Sequence, residues 1–453
     1  MADERGRDLQ SGRPYIVVSA DTHASPETLE EFLDYVDPAH RGAVRAAGEL
    51  SSAAISMFGG TDADVVEDSD PVRATATRRL AGMAVDTDAA GPWLDRYGID
   101  WVVAGDGDGR RQQVLEEQGI HAEVVYPGPV LAGAQSAAMF AGAHRSEGLD
   151  LVWPAIRGYD RWLADFCAAA PGRRAGCLPV DLHDMDAAVD EIGAARDRGL
   201  FGGVMLPAMS TTSGLRGYSD DYYEPFWSAC EDHGMVINIH TGASGVPTDA
   251  RQLYDAKRGG FLGLYEVFFF TRRPLWFMIF GGVFDRHPDL QVVISENGVQ
   301  WLPSIVADME QFFDTHGYAP LRSSLKLRPA EYVERHLHLG GSLMGRDDAE
   351  RRDEIGVDRL MWGADYPHLE GAVPVHREVL RHVFGGMPEA DLRRILGINA
   401  VDLWGFDEAQ LQAVADRVGP TVADLATPLA LDQFPETFSW SLARPVPLAG
   451  AAS

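Results

Sequence analysis

Residues 280–298 read FGGVFDRHPDLQVVISENG. A strongly apolar stretch, Phe261 to Phe284, runs into this segment and breaks on Gly281-Gly282. The turn Arg286-His287-Pro288-Asp289 follows. The next five residues, Val292 to Glu296, are mostly β-branched and predict a strand, closed by Asn297-Gly298. The segment is therefore helix, turn, strand, with a carboxylate at the strand's C-terminal end. His287 precedes the strand and falls at the opposite end, where a structural role is expected.

The same unit recurs outward in both directions. Strands are expected at Tyr15–Ala20, Ala122–Tyr126, Gly176–Val180, Gly203–Leu206, Val236–His240, His336–Leu339 and Leu360–Ala364. Helical patterns fill the gaps, clearest at Arg110–Gln118, which stops at Gly119, and at Asp184–Arg198. Eight short strands alternating with helices predict parallel βα units closed into a (β/α)8 TIM-type barrel, whose chemistry sits at the C-terminal strand ends. An open doubly wound sheet is the alternative, but no G-x-G-x-x-G follows the first strand. On this reading a polar tail covers 1–14 and the barrel covers 15–406. A long insertion at 24–120 separates the first two strands, and 407–453 form a C-terminal helical extension.

Charge and composition narrow the function. The chain has 453 residues with 39 Lys+Arg against 68 Asp+Glu, a net charge of −29. Such a field repels phosphate backbones and anionic lipid, so neither nucleic acid nor membrane is an expected partner. A small-molecule substrate is. The three cysteines, Cys167, Cys177 and Cys230, cannot frame a disulfide scaffold, and the polar start resembles no signal peptide, so a cytoplasmic location is expected. The Phe261–Phe284 run is interrupted by Glu266, Arg272, Arg273 and Pro274, which excludes an ordinary membrane span and fits a buried or interface helix, with a homodimer as the expected assembly.

The candidate chemistry is confined to strand ends. Asp21 and His23 close the first strand and, two apart in extended chain, share a side. His240 closes the fifth, Glu296 the sixth, and Asp365 the eighth, with His368 just beyond. Any one of these arises easily by chance or as a helix cap. Together they put three carboxylates and two imidazoles, Asp21, His23, His240, Glu296 and Asp365, on one rim, where they repel unless a cation sits among them. His183 follows the third strand within reach of the rim, with a helix-cap or surface role expected. His336 and His338 alternate on the seventh strand, so only one face of the pair can point inward. Arg272 and Arg273 are expected to face solvent.

At these positions the sequence resembles the amidohydrolase superfamily, and within it the amidohydrolase-related branch that holds small decarboxylases. The motifs are SADTH (19–23), VINIH (236–240), FGGVFDRHPDLQVVISENG (280–298), GADYPHLEG (363–371) and DLRRILGINAVDLWGFD (391–407). The resemblance implies a divalent metal (Zn, Mn or Fe, one or two ions) held by Asp21, His23, His240, Glu296 and Asp365. It makes Asp365 the general base and Glu296 a ligand or second acid/base. His368, just past the eighth strand, either orients Asp365 or the substrate or is a surface turn residue. Asp21 stands where relatives carry a first His, and Glu296 where many carry a His, so the site is richer in oxygen and suits iron or manganese as well as zinc. No lysine follows the fourth strand, so a carbamylated-lysine bridge is not expected. Two enzymatic readings follow: hydrolysis or non-oxidative decarboxylation through metal-bound water and an Asp base, or a nonheme diiron monooxygenase acting on an apolar substrate. A non-catalytic, metal-stabilised binding protein is the third.

Overall fold

The structure is a computed structural model, and it describes residues 11–46, 108–128, 151–209, 214–242, 259–315, 317, 319–342, 344–368, 371–430 and 433. Most of the expected insertion, the first ten residues and most of the Ala/Pro-rich tail lie outside them.

Eight parallel strands form one sheet in sequential order. They are β1 (Val18–Ala24), β2 (Ala122–Pro127), β3 (Arg174–Pro179), β4 (Gly203–Met205), β5 (Ile237–His240), β6 (Val292–Ser295), β7 (Leu337–Gly341) and β8 (Leu360–Trp362). Just past β8 the chain returns to β1. The Asp365 amide donates to the Asp21 carbonyl at 2.9 Å and the His23 amide to the Tyr366 carbonyl at 2.7 Å. Those bonds close the barrel.

The strands are short apolar runs because both of their faces are covered. In β6, Val293 enters the inner core with Val124, Cys177, Met205 and Met361, while Val292 and Ile294 pack outward against the helices. The inner core continues into Ile398, Trp404 and Phe406, which plug the N-terminal end of the barrel; Trp404 Nε1 donates to the Gly202 carbonyl at 2.9 Å. The expected extension begins as a helix, Glu408–Val418, capped by Asp407.

Three features depart from expectation. β1 lies further along the chain and runs through Asp21-Thr22-His23, because pairing with β2 and with the residues after β8 holds that polar segment extended. His336 ends the helix Pro329–His336 instead of starting β7, and its Nδ1 donates to the Leu290 carbonyl at 2.8 Å. Arg272 does not point freely into solvent: it is half-buried and bonded to Asn297.

One irregularity places the candidate site. Leading into and along β1, Ile16, Val18 and Ala20 face the inner core, and Val17 faces the helices. Unbroken alternation would then turn Thr22 inward and Asp21 and His23 outward. The register against β2 shifts between Ser19 and Thr22. That bulge reverses the phase, so Ala24 packs outward and Asp21 and His23 face the barrel mouth.

Candidate metal centre

Asp21 is fully buried, and its two oxygens are used differently. Oδ1 lies 3.2 Å from His240 Nε2 and 3.5 Å from His23 Nε2. Oδ2 accepts a hydrogen bond from Ser342 Oγ, just after β7. The nitrogens aimed at Oδ1 are set by backbone. His23 Nδ1 donates to the Pro127 carbonyl at 3.0 Å and His240 Nδ1 to the Thr241 carbonyl at 2.6 Å, which leaves both Nε2 atoms facing the mouth. Asp365 enters from the far side, its Oδ1 3.3 Å from His23 Nε2 and 2.8 Å from His368 Nδ1. The rings interlock: His368 stacks on His23 at 4.1 Å and His240 meets it edge-on at 4.8 Å. Two triads of candidate ligand atoms share His23. Asp21, His23 and His240 form one, and His23, Asp365 and His368 the other, each with its atoms within 4.8 Å of one another.

Glu296 stands apart from both triads. Its Oε2 lies 3.4 Å from His240 Nδ1, the ring nitrogen that does not face Asp21. The structure thus brings Asp21, His23, His240, Asp365 and His368 together and sets Glu296 behind His240. Among the described residues, Glu296 and Asp365 are the non-glycine residues with positive φ, at 51° and 52°. Backbone in this sparsely populated region costs about 1–3 kcal/mol, and such residues cluster at functional sites.

The electrostatics call for a cation. Burial alone would lower the His240 pKa, but the carboxylates of Asp21, Glu296 and Asp365 outweigh it and raise the pKa to about 9. Burial would raise Asp365; the imidazoles of His368 and His23 outweigh it and hold the carboxyl below its ordinary range. His23 is pushed down by burial and by His368. His23 Nε2 and both Asp365 oxygens are buried without an aligned hydrogen bond. An unsatisfied buried polar atom costs about 1–3 kcal/mol, so three at one point mark a position made for something else to bind. Two imidazoles with fixed tautomers and two carboxylates are a donor set that fits a divalent metal ion.

Several supporting residues escaped the sequence reading. Tyr126, next to last in β2, was open to the strand-end rule: its ring lies 4.7 Å from that of His240, and its hydroxyl meets Asn238 Oδ1 at 3.1 Å and Ser295 Oγ at 3.0 Å. Arg111 had no signal. It is fully buried, pairs with Glu123 beside Arg174, lies 4.8 Å over the Tyr366 ring, and donates to the His23 carbonyl at 2.9 Å. Ser342 had none either. His183 is held by Asp181 at 2.6 Å after β3 and joins neither triad. His287 bonds Glu224 and Glu231, away from the mouth.

A family model for amidohydrolases matches residues 20–406. The chain belongs to the amidohydrolase family. It is accordingly a metal-dependent hydrolase or lyase of the amidohydrolase superfamily. Gamma-resorcylate decarboxylase from Rhodococcus jostii (strain RHA1) is 23% identical over 269 residues, covering 54% of this amidohydrolase and 74% of the relative. The crystal structure of 5-carboxyvanillate decarboxylase from Sphingomonas paucimobilis shares the fold at 18% identity and a TM-score of 0.58, over 88% of this chain and 100% of that one. So does dihydroxybenzoic acid decarboxylase from Polaromonas sp. JS666 with bound manganese and the inhibitor 2-nitroresorcinol, at 17% identity and a TM-score of 0.56, over 87% and 98%.

Proposed function

We propose that this amidohydrolase removes carbon dioxide, without oxidation, from a small hydroxylated aromatic acid, with one divalent metal ion held by Asp21, His23, His240 and Asp365. The observation that carries the reading is the convergence of those four side chains, with the orphaned inward atoms of His23 and Asp365 among them. The relatives support the substrate class, because those named above act on aromatic acids, and the manganese of the Polaromonas enzyme suits a mixed imidazole and carboxylate set.

When bound, the ion supplies Lewis acidity, drawing charge from the oxygens of the acid. The protein supplies the rest. Asp21, braced by Ser342, and the two backbone-anchored histidines fix the donor atoms. Asp365 and His368, 2.8 Å apart, form the proton-carrying pair. The ring–carboxyl bond breaks, its electron pair stays on the ring carbon, carbon dioxide departs, and the pair delivers a proton to that carbon. The diiron expectation needed bridging carboxylates, for which Glu296 and Asp365 were the candidates. Glu296 faces the other nitrogen of His240, and no feature of the arrangement favours that reading.

The test is metal per chain and carbon dioxide release from a panel of hydroxybenzoic acids under manganese. About one ion per chain with release is expected. His240→Ala is expected to lose both, and Asp365→Asn to stay folded but inactive. Full metal content in His240→Ala overturns the ligand set. Ester or amide hydrolysis without carbon dioxide release overturns the reaction.

A further inference from the structure

We propose that Arg111 is a positioning residue of the metal centre: with Glu123 it holds the β1 bulge that turns Asp21 and His23 into the barrel mouth. The inference rests on the ligand set proposed above and not on the reaction. Along β1 and β2, Ser19 pairs with Glu123, and the next paired residues are Thr22 and Val125. Ala20 and Asp21 therefore share one partner, Val124. Such a bulge is rare between parallel strands, and a one-residue slip that removed it would send both ligands to the helix side. The extra residue has to be fixed by side chains. Thr22 gives its hydroxyl to the Val124 carbonyl at 3.0 Å. Arg111 spans the shift itself. Its Nε lies 3.1 Å from Glu123 Oε1 and its Nη2 2.6 Å from Oε2, while Nη1 donates to the His23 carbonyl at 2.9 Å. One rigid guanidinium thus joins the residue opposite Ser19, before the shift, to the ligand that follows it.

The clamp comes from outside the barrel. Arg111 is fully buried and lies on the helix Asp108–Glu117. It also sits 4.8 Å over the Tyr366 ring, and the Tyr366 carbonyl accepts the His23 amide at 2.7 Å. Both polar groups of the His23 backbone are therefore tied to one side chain, the carbonyl directly and the amide through Tyr366. Arg174, at the start of β3, pairs with the same Glu123 at 3.2 Å and donates to the Phe166 carbonyl. Two guanidiniums on one buried carboxylate are a poor way to gain stability, because desolvation offsets the attraction; fixing register is the best-attested use of such groups. A lysine would not serve in place of Arg111. A single ammonium on a flexible stem does not grip Glu123 through two nitrogens and His23 through a third. The link also runs both ways. If Arg111 holds His23 in its ligating position, an ion on His23 in turn holds the helix Asp108–Glu117.

The full chain, stripped of metal, is titrated with manganese by calorimetry, with circular dichroism to confirm folding. The parent is expected to bind. Arg111→Met and Arg111→Lys are each expected to lose at least about tenfold in affinity, whereas Arg174→Met, which opens the same cluster from β3, stays within about threefold of the parent. The visible spectrum of the cobalt(II)-loaded protein, which reports ligand geometry, is expected to change in both Arg111 variants and not in Arg174→Met. Amide exchange in the parent needs no variant. Manganese is expected to slow exchange at 110–117 and to leave the helix Glu408–Val418, which packs on the plug of the barrel, unchanged. A folded Arg111→Met protein that binds manganese within about threefold of the parent overturns the proposal, as does an unchanged cobalt spectrum. So does parent-like affinity in Arg111→Lys, an equal loss in Arg174→Met, or equal slowing in the two helices. If neither Arg111 variant folds, the exchange comparison decides alone. A parent that binds no manganese overturns the ligand set and this proposal with it.

Discussion

Ser342→Ala tests how the candidate centre is held. Ser342 is fully buried after β7, and its hydroxyl donates to Oδ2 of Asp21, which leaves Oδ1 for the two imidazoles. The approach is close by construction. A Cβ on Gly363 would lie 2.8 Å from Ser342 Oγ and 2.9 Å from Asp21 Cβ, so the missing side chain there is what lets the pair meet. A hydrogen bond to a charged group contributes about 1.5–3 kcal/mol. Since each 1.4 kcal/mol is about tenfold in a binding constant, losing the bond is expected to weaken metal affinity about ten- to a hundredfold, the range seen when the partner that orients a ligand is removed. The assay is calorimetric titration of the metal-free protein with manganese, with circular dichroism to confirm folding. Ser342→Cys keeps the size with a weaker donor and is expected to fall between parent and alanine variant. A folded Ser342→Ala protein that binds manganese within twofold of the parent refutes the argument that Asp21 must be held in one orientation.

Glu296→Gln separates ligand from bystander. Because Glu296 faces Nδ1 of His240 and joins neither ligand triad, the variant is expected to keep the parent's metal per chain, measured by elemental analysis; loss of the ion would make Glu296 a ligand. Acid is expected to destabilise the protein through histidines remote from the centre. Burial pushes His376 down to about 4; burial and Arg173 push His121 to about 3; burial and Arg359 push His338 to about 4. His376 shows why: Nδ1 donates to the Gln118 carbonyl and Nε2 accepts from Trp362 Nε1, so the neutral ring is satisfied and a second proton would face a donor. The unfolded chain takes up these protons near pH 6.5, so the stability they contribute is complete above 6.5 and is lost as pH falls toward 4, at about 1.4 kcal/mol per pH unit for each ring. Denaturant melts of the metal-free protein check this, and unchanged stability between pH 6.5 and 4.5 would contradict it.

Much of this was legible in the chain because the physics is local. β-branched runs covered on both faces must be apolar throughout, so the strands stand out wherever they are long enough, and β6 is read almost to the residue. Metal-competent side chains stand out against such runs, which is why Asp21, His23, His240 and Asp365 could be named from their placement at strand ends. Ser342 and Arg111 could not. Their roles consist of contacts to residues 321 and 88 positions away, and nothing near them in sequence records such a contact.

The sequence by itself determined that parallel βα units would close and that ionisable groups would gather at one end. Only the tertiary structure decided which way those groups face. The alternation of β1 taken alone sends Asp21 and His23 toward the helices, and a single bulge between Ser19 and Thr22 turns them into the barrel mouth. A bulge depends on how two strands pair, and β2 begins a hundred residues after that point, so no local pattern could show it. The same holds for Glu296. Its position at a strand end is a property of sequence; its positive φ and its place beside Nδ1 of His240 are seen only in the folded barrel.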